Sequence, residues 1–391
     1  MNTLRRALHS ALLLGFGWAA LVAGCGVASV GGDDPGPVPQ GPLVPDRFLA
    51  SAPKNAADKT TTEVKLTTSV EFDADANQVN IFALPKAFAG PDDTTGTAIE
   101  GLTRNSFSVI LNAKNAPQSL DPSSLTVDTE VSSARLVGLV IDQSGSMTAP
   151  VPGEGLTRME VAKASAALFV DLMTGTDQTA LVAFSTDARL VQQLTADQAA
   201  LKREIAKLAP EGNTNIGDAV TQGVLAVGTR PGKRAVILLT DGGDTVDPVT
   251  GGPGVWSQNK DSKRYQALKL AKENELPVFT VGFGLNVDSP TDDERIAIED
   301  LIYFASQTGG EAFFANSAAE LARAFSETIP NAIDALEPLE TYRISFANPF
   351  KLSPSSAKRT VVVPVRTGVG YVTGNDLFNT KFNGSYLVTA P

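Results

Sequence analysis

Between about residues 134 and 333 the chain repeats one arrangement: a short, almost wholly apolar run, then a stretch with helical spacing. The runs are LVGLVI at 136–141, LVAF at 181–184, AVILL at 235–239 and VFTV at 278–281. A strand wetted on one face alternates apolar and polar residues. One that is apolar throughout is buried on both faces, as in a parallel sheet covered by helices. The intervening stretches supply the covers. Val161, Ala164, Leu168 and Leu172 share a helical stripe, and so do Leu201, Ile205 and Leu208, opened by a Thr195-x-x-Gln198 capping box. Ser317-x-x-Glu320 opens a last helix, with Leu321, Phe325 and Ile329 stacked turn by turn. Strands alternating with helices predict an α/β fold with a doubly wound, mostly parallel sheet.

The flanks, 58–133 and 334–391, have a different texture. VKLT at 64–67, VNIFAL at 79–84, FSVIL at 107–111, YRISF at 342–346 and TVVVPV at 360–365 are short strand candidates separated by turn-rich pieces. Each flank alone has too few strands for a sandwich, and together they have enough. The expectation is one β-sandwich built from both flanks, with the segment 134–333 inserted into it.

The N-terminus reads as an address. Arg5 and Arg6 precede an uncharged run, 11–24, that is shorter than the ~20 residues a helix needs to cross a bilayer. It closes in Val22-Ala23-Gly24-Cys25, which resembles the bacterial lipobox, and Cys25 is the only cysteine. The resemblance implies a signal peptide at 1–24 and lipidation of Cys25. Residues 25–57, with Pro35, Pro37, Pro39, Pro42, Pro45 and Pro53, read as an extended tether. The implied location is the cell envelope. Gly26 stands where inner-membrane retention often uses Asp, which tilts the expectation toward the outer membrane.

Composition then removes whole classes of chemistry. The one histidine is His9, so the domains downstream of the tether have neither imidazole nor thiol. Ser-His-Asp and Cys-His catalysis and Cys/His zinc sites are excluded there. A net charge of −11 argues against nucleic acid as partner. Any metal site must be built from oxygens.

Ligands of doubly wound sheets bind beyond the C-terminal strand ends. The first apolar run ends in Asp142-Gln143-Ser144-Gly145-Ser146, the 235–239 run in Thr240-Asp241-Gly242, and Thr214 lies in a loop just before a helix. Converging there, Asp142, Ser144, Ser146, Thr214 and Asp241 form an all-oxygen set suited to a hard cation: Mg²⁺ first, with Mn²⁺ or Ca²⁺ as alternatives. With few carboxylates the ion would stay electron-poor and would seek an outside Glu or Asp side chain. These five positions, in this order of strands and helices, resemble the metal-ion-dependent adhesion site of the von Willebrand factor type A domain, over about 134–333. The resemblance implies direct metal binding by Ser144, Ser146 and one acid. The other acid would act mainly through water, and Thr214 would exchange between the two modes. It also implies a protein partner and no catalysis. The stretch Gly101-Leu102-Thr103-x-x-Ser106-Phe107 is similar to β-segments beside this domain in secreted bacterial relatives.

Two other readings compete. A Mg²⁺-dependent phosphotransferase or phosphatase of the haloacid dehalogenase type also uses a strand-end Asp. It needs a second Asp two residues on, where this chain has Ser144, and a Lys that is not clearly offered. Ser355-x-x-Lys358 has Ser-Lys hydrolase spacing but falls in a turn. Alternatively the site is filled from within, by the tether or by another copy, giving an assembly scaffold. Around the site, Asp244 reads as a loop charge, and Asp292, Asp293 and Glu294 as a solvated helix start. Trp256 either packs its loop onto the body, the favoured reading, or meets a partner.

Overall fold

The computed structural model describes residues 63–73, 76–88, 93, 95–113, 116–347, 360–373 and 376–389. The leader, Cys25 and the tether, as well as Ser355 and Lys358, lie outside the described residues. Along the N-terminal flank run β1 (Glu63–Asp73), β2 (Gln78–Phe88), β3 (Thr97–Ala98), β4 (Phe107–Ala113), β5 (Ala116–Ser119) and β6 (Thr126–Glu130). The middle of the chain then alternates: β7 (Arg135–Asp142), α1 (Arg158–Asp171), β8 (Gln178–Phe184), β9 (Ala188–Thr195), α2 (Gln198–Lys207), α3 (Ile216–Val227), β10 (Lys233–Thr240) and α4 (Pro253–Trp256). It continues with α5 (Lys263–Glu273), β11 (Val278–Phe283), α6 (Asp292–Thr308), β12 (Ala312–Ala315), α7 (Ala318–Arg323) and α8 (Ile329–Asp334). The C-terminal flank adds β13 (Thr341–Ala347), β14 (Thr360–Thr373) and β15 (Asp376–Thr389).

The flanks do combine. One antiparallel sheet runs β1-β2-β13-β6 with β3 beside β2, and a second runs β15-β14-β4-β5. Both sheets mix strands from before and after the middle segment. Their shared core sets Ile81 and Ile344 of the first sheet with Phe107 and Val109 of the second. Tyr342 ties the layers: its ring meets Phe107 at 5.5 Å, its hydroxyl donates to the Ile99 carbonyl, and it accepts from the Leu102 amide.

The middle segment is one six-stranded sheet in the order β12-β11-β10-β7-β8-β9, parallel except at β9. The apolar runs are buried on both faces, as their patterning demands. Val137, Leu139 and Ile141 of β7 enter a core with α1, α2 and the last helical segment, while Leu136 and Val140 enter one with α3, α5 and α6. Two local expectations need correction. The buried face of α1 carries Met159, Val161, Ala162, Ser165, Ala166, Phe169 and Val170, so Val161 of the expected stripe is buried whereas Leu168 is 41% exposed. Small residues face the sheet because they let the helix approach closely. The cap of α2 is Asp197, whose carboxylate accepts from the Ala200 amide; Thr195 instead receives the Asp197 amide. A charged acceptor at a helix N-terminus outcompetes a hydroxyl there. Ser317 does cap α7, and Leu321, Phe325 and Ile329 are buried, but the segment between α7 and α8 is a π-turn, Ala324–Thr328.

Sandwich and domain meet at the end of the sheet opposite the strand termini that matter below. Lys65 and Lys86 pair with Glu273 and Glu275 just at and after α5. Arg230 pairs with Glu71, and the Thr229 hydroxyl donates to the Phe82 carbonyl. Gly228 takes φ +63° directly against Ser69, where a Cβ would collide with the serine hydroxyl. This contact explains why β2 is buried at nearly every position and does not alternate.

Candidate metal centre at the C-terminal edge of the sheet

β7 stops at Asp142, and the chain turns through a short 3-10 segment, Gly145–Thr148, whose Met147 plugs into the core. The Ser144 amide donates back to Asp142 Oδ1 at 2.7 Å. Ser144 and Ser146 hydroxyls lie 3.0 Å apart, and Ser146 donates to Asp241 Oδ1 at 2.7 Å. Thus Asp142, Ser144, Ser146 and Asp241, drawn from two strand ends, form one hydrogen-bonded chain, joined through the Ser144 amide at the Asp142 end and through hydroxyls beyond it.

Thr214 arrives on a neighbouring loop. The Gly145 amide donates to the Gly212 carbonyl at 3.0 Å, and the Glu211 amide to the Gln143 carbonyl at 2.6 Å, so the loop before α3 is laced to the 143–145 turn. Thr214 itself is buried and clamped by Thr245: its amide donates to Thr245 Oγ1 at 3.0 Å, and its carbonyl accepts the Thr245 amide at 2.8 Å. No hydrogen bond joins Thr214 to the Asp142–Asp241 chain among the described residues.

The electrostatics are those of a buried acid pair with partial compensation. Burial pushes the Asp142 carboxyl up to about 7, with the Asp241 charge adding to the rise, against hydrogen bonds from Thr240 and Ser144. Asp142 Oδ2 accepts the Thr240 hydroxyl at 2.6 Å. Asp241 Oδ2 accepts Arg158 Nη1 at 2.8 Å. The remaining acids nearby are structural. Asp244 accepts the Ile216 and Gly217 amides at the start of α3, and Asp292, Asp293 and Glu294 form the first turn of α6 under a Thr291–Glu294 capping box. Trp256 is packing, not contact surface: fully buried, it stacks on Phe304 and donates Nε1 to Asp300 at 2.7 Å.

Three residues of this edge have no place in the sequence-level site: Thr240, Thr245 and Arg158. Thr240 and Thr245 flank Asp241 within a few residues, and only the direction of their side chains gives them their roles. Arg158 carries a faint signal. It is the first residue of α1, after the cap Thr157, where the helix dipole disfavours a cation. An arginine there needs an acid from elsewhere.

The donor chemistry fits a hard cation. Among the described residues no three His, Cys, Asp or Glu side chains gather closely enough to hold a metal by themselves. A cation at this edge would therefore depend on the serine and threonine hydroxyls, which is the division of labour that the five residues offer.

The sequence profile of the von Willebrand factor type A domain matches residues 137–243, and the chain carries such a domain. Similar proteins include the UPF0353 proteins of Mycolicibacterium gilvum and of Nocardia farcinica, each 28% identical over 207 residues. The match to the first covers 49% of this chain and 58% of that protein, and the match to the second 47% and 59%. The chain thus spans less than two thirds of the length of these relatives. Among solved structures, a von Willebrand factor type A protein from Catenulispora acidiphila is 16% identical at a TM-score of 0.41, covering 85% of this chain and 76% of the other. The vWF domain of the type V pili tip protein Mfa5 from Porphyromonas gingivalis is 18% identical at 0.38, covering 53% and 99%.

Proposed function

We propose that this chain is a lipid-anchored envelope protein whose von Willebrand factor type A domain binds a protein partner through a divalent cation. The observation that carries the reading is the hydrogen-bonded chain Asp142–Ser144–Ser146–Asp241 at the sheet edge, with the Thr214 loop laced against it. Ser144, Ser146 and Asp241 would hold Mg²⁺, or Mn²⁺ or Ca²⁺ in its place, with Asp142 and Thr214 completing the set. The ion would supply a Lewis-acidic point for a Glu or Asp carboxylate of the partner. Asp142 engages the Thr240 hydroxyl and the Ser144 amide, which orients its carboxylate and the turn that carries both serines.

Binding fits this edge better than phosphoryl transfer. A nucleophilic Asp142 would have to be reachable, yet it is fully buried with both carboxylate oxygens engaged. Cys25 lipidation and the Pro-rich tether would place the domain off the membrane surface, with the outer membrane as the expected location. No helix among the described residues is long and apolar enough to cross a membrane.

The test is calorimetric titration of the full chain with Mg²⁺ and Mn²⁺. Binding lost by at least about 100-fold in Asp142→Ala and in Ser144→Ala, with unchanged circular dichroism, is the expected result. Equal binding by wild type and both variants would overturn it.

A further inference from the structure

Arg158 is a basic residue built into an acid pair. Its Nη1 donates to Asp241 Oδ2 at 2.8 Å, and its Nη2 to the Gly284 carbonyl at 3.1 Å. Asp241 contributes a fully buried carboxylate to this bond, whereas the arginine side chain keeps 23% exposure. The other oxygen of Asp241 faces Ser146. One oxygen of Asp241 therefore belongs to the hydroxyl chain, and the opposite oxygen is neutralised from behind.

The slot for the guanidinium is shaped by Gly284. This residue takes φ +77°, and a Cβ on it would lie 2.7–2.8 Å from Nε, Cζ and Nη2 of Arg158. Only a residue without a side chain leaves that space. Two features far apart in sequence, a cation at a helix start and a glycine just past β11, are thus fitted to one another and to Asp241. An arginine present only to solubilise the helix end would need neither.

We infer that Arg158 is a tethered counter-cation that weakens the hold of this edge on its divalent ion and thereby strengthens the pull of the ion on an incoming carboxylate. The inference rests on the proposed metal-dependent function. The reasoning is charge arithmetic. Two carboxylates give the edge a charge of −2, and the guanidinium brings it to −1. A divalent ion then leaves the edge net positive where it would otherwise be neutral. A like charge a few ångströms from a cation site lowers cation affinity and raises anion affinity, and at a partly buried edge the effect reaches about tenfold or more. Arg158 is thus a positioning and tuning residue for Asp241, not a ligand.

The consequence is a pair of effects of opposite sign, which loss of structure cannot produce. In calorimetric titration of the full chain, Arg158→Gln binds Mg²⁺ and Mn²⁺ about tenfold more tightly than wild type, and Arg158→Lys stays within about threefold of wild type. A cavity of about 320 Å³ lined by Pro150, Val151, Phe283, Asn286 and Asn316 lies against the guanidinium, so shortening it leaves the backbone around it room. Gly284→Ala, which keeps the arginine but pushes it off its seat, shifts affinity in the same direction as Arg158→Gln. With Mn²⁺ bound, acetate lowers the paramagnetic relaxation of water less in Arg158→Gln than in wild type.

Arg158→Gln binding metal equally or more weakly, with an unchanged unfolding midpoint, overturns the inference. If Arg158→Gln unfolds early, Gly284→Ala decides: tighter binding sustains the role and unchanged binding overturns it. Wild-type binding that is lost in Asp142→Ala but unchanged in Arg158→Gln removes the role of Arg158 alone. A wild-type chain that binds neither ion removes both this inference and the proposed function.

Discussion

Two clusters in the α/β domain hold the same formal charges, two aspartates and one arginine, and are finished in different ways. At the sheet edge, Arg158 reaches Asp241 but not Asp142, and the other carboxylate oxygens face the Ser146 and Thr240 hydroxyls and the Ser144 amide. Behind α5, Arg264 bonds both Asp247 and Asp300 and also donates to the Gly251 and Val249 carbonyls. The Val249 amide and the Trp256 indole satisfy the remaining oxygens of Asp247 and Asp300, and Ser262 and the Arg264 amide add to the Asp247 oxygen that Arg264 Nε bonds. All three charged side chains there are at most 2% exposed. One triad is closed and has no valence to offer a ligand. The other leaves a carboxylate, Asp142, with no basic partner. The comparison teaches that composition does not separate a structural ion cluster from a functional one; what fills the last lone pairs does.

The largest expected effect strikes the closed triad. Arg264→Met strands two buried carboxylates and should cost about 3–5 kcal/mol of unfolding free energy by denaturant titration. The same cut at the open triad, Arg158→Gln, should cost less, because it strands one buried carboxylate instead of two and Ser146 still donates to that carboxylate. A comparable loss at both sites would erase the distinction.

A pH series sharpens it next. Burial pushes the Asp300 carboxyl up to about 6, against the Arg264 charge and the Trp256 hydrogen bond. A native pKa above the unfolded value means the native state takes up the proton first. The contribution of Asp300 to stability therefore falls as pH rises from about 4 to 6 and is level above. Relative to Asp300→Asn, wild type should gain stability on acidification across that window, by at most about 1.4 kcal/mol per pH unit. A flat difference between the two would break the assignment.

The smallest effect concerns the clamp on Thr214. Thr245→Val keeps shape but removes the hydroxyl that receives the Thr214 amide. Metal affinity in the same titration should drop several-fold, about 1 kcal/mol, with little change in the unfolding midpoint. A fold-wide loss of stability would instead make Thr245 a structural residue only.

The sheet and most of the candidate site were legible because both obey local rules. Continuous apolar runs announce strands buried twice over, and Asp142 and Asp241 stand where such strands end. The stripe on α1 misled because Leu168 is large but outward, whereas Ala162 and Ala166, which pattern reading undervalues, press on the sheet. Arg158, Thr245 and Arg264 were illegible for another reason. Their partners sit 83, 31 and 36 residues away, at Asp241, Thr214 and Asp300, and no spacing rule reaches across a sheet.

The strands on either side of the inserted domain stay neighbours: β6 and β13 pair antiparallel, with Glu130 opposite Thr341. The domain therefore leaves the sandwich and returns to it through a doorway one strand spacing wide. A platform with such a doorway tolerates exchange of what it displays. A shorter loop, or a different recognition module whose own ends lie close together, could be carried there without re-registering a single strand of the base.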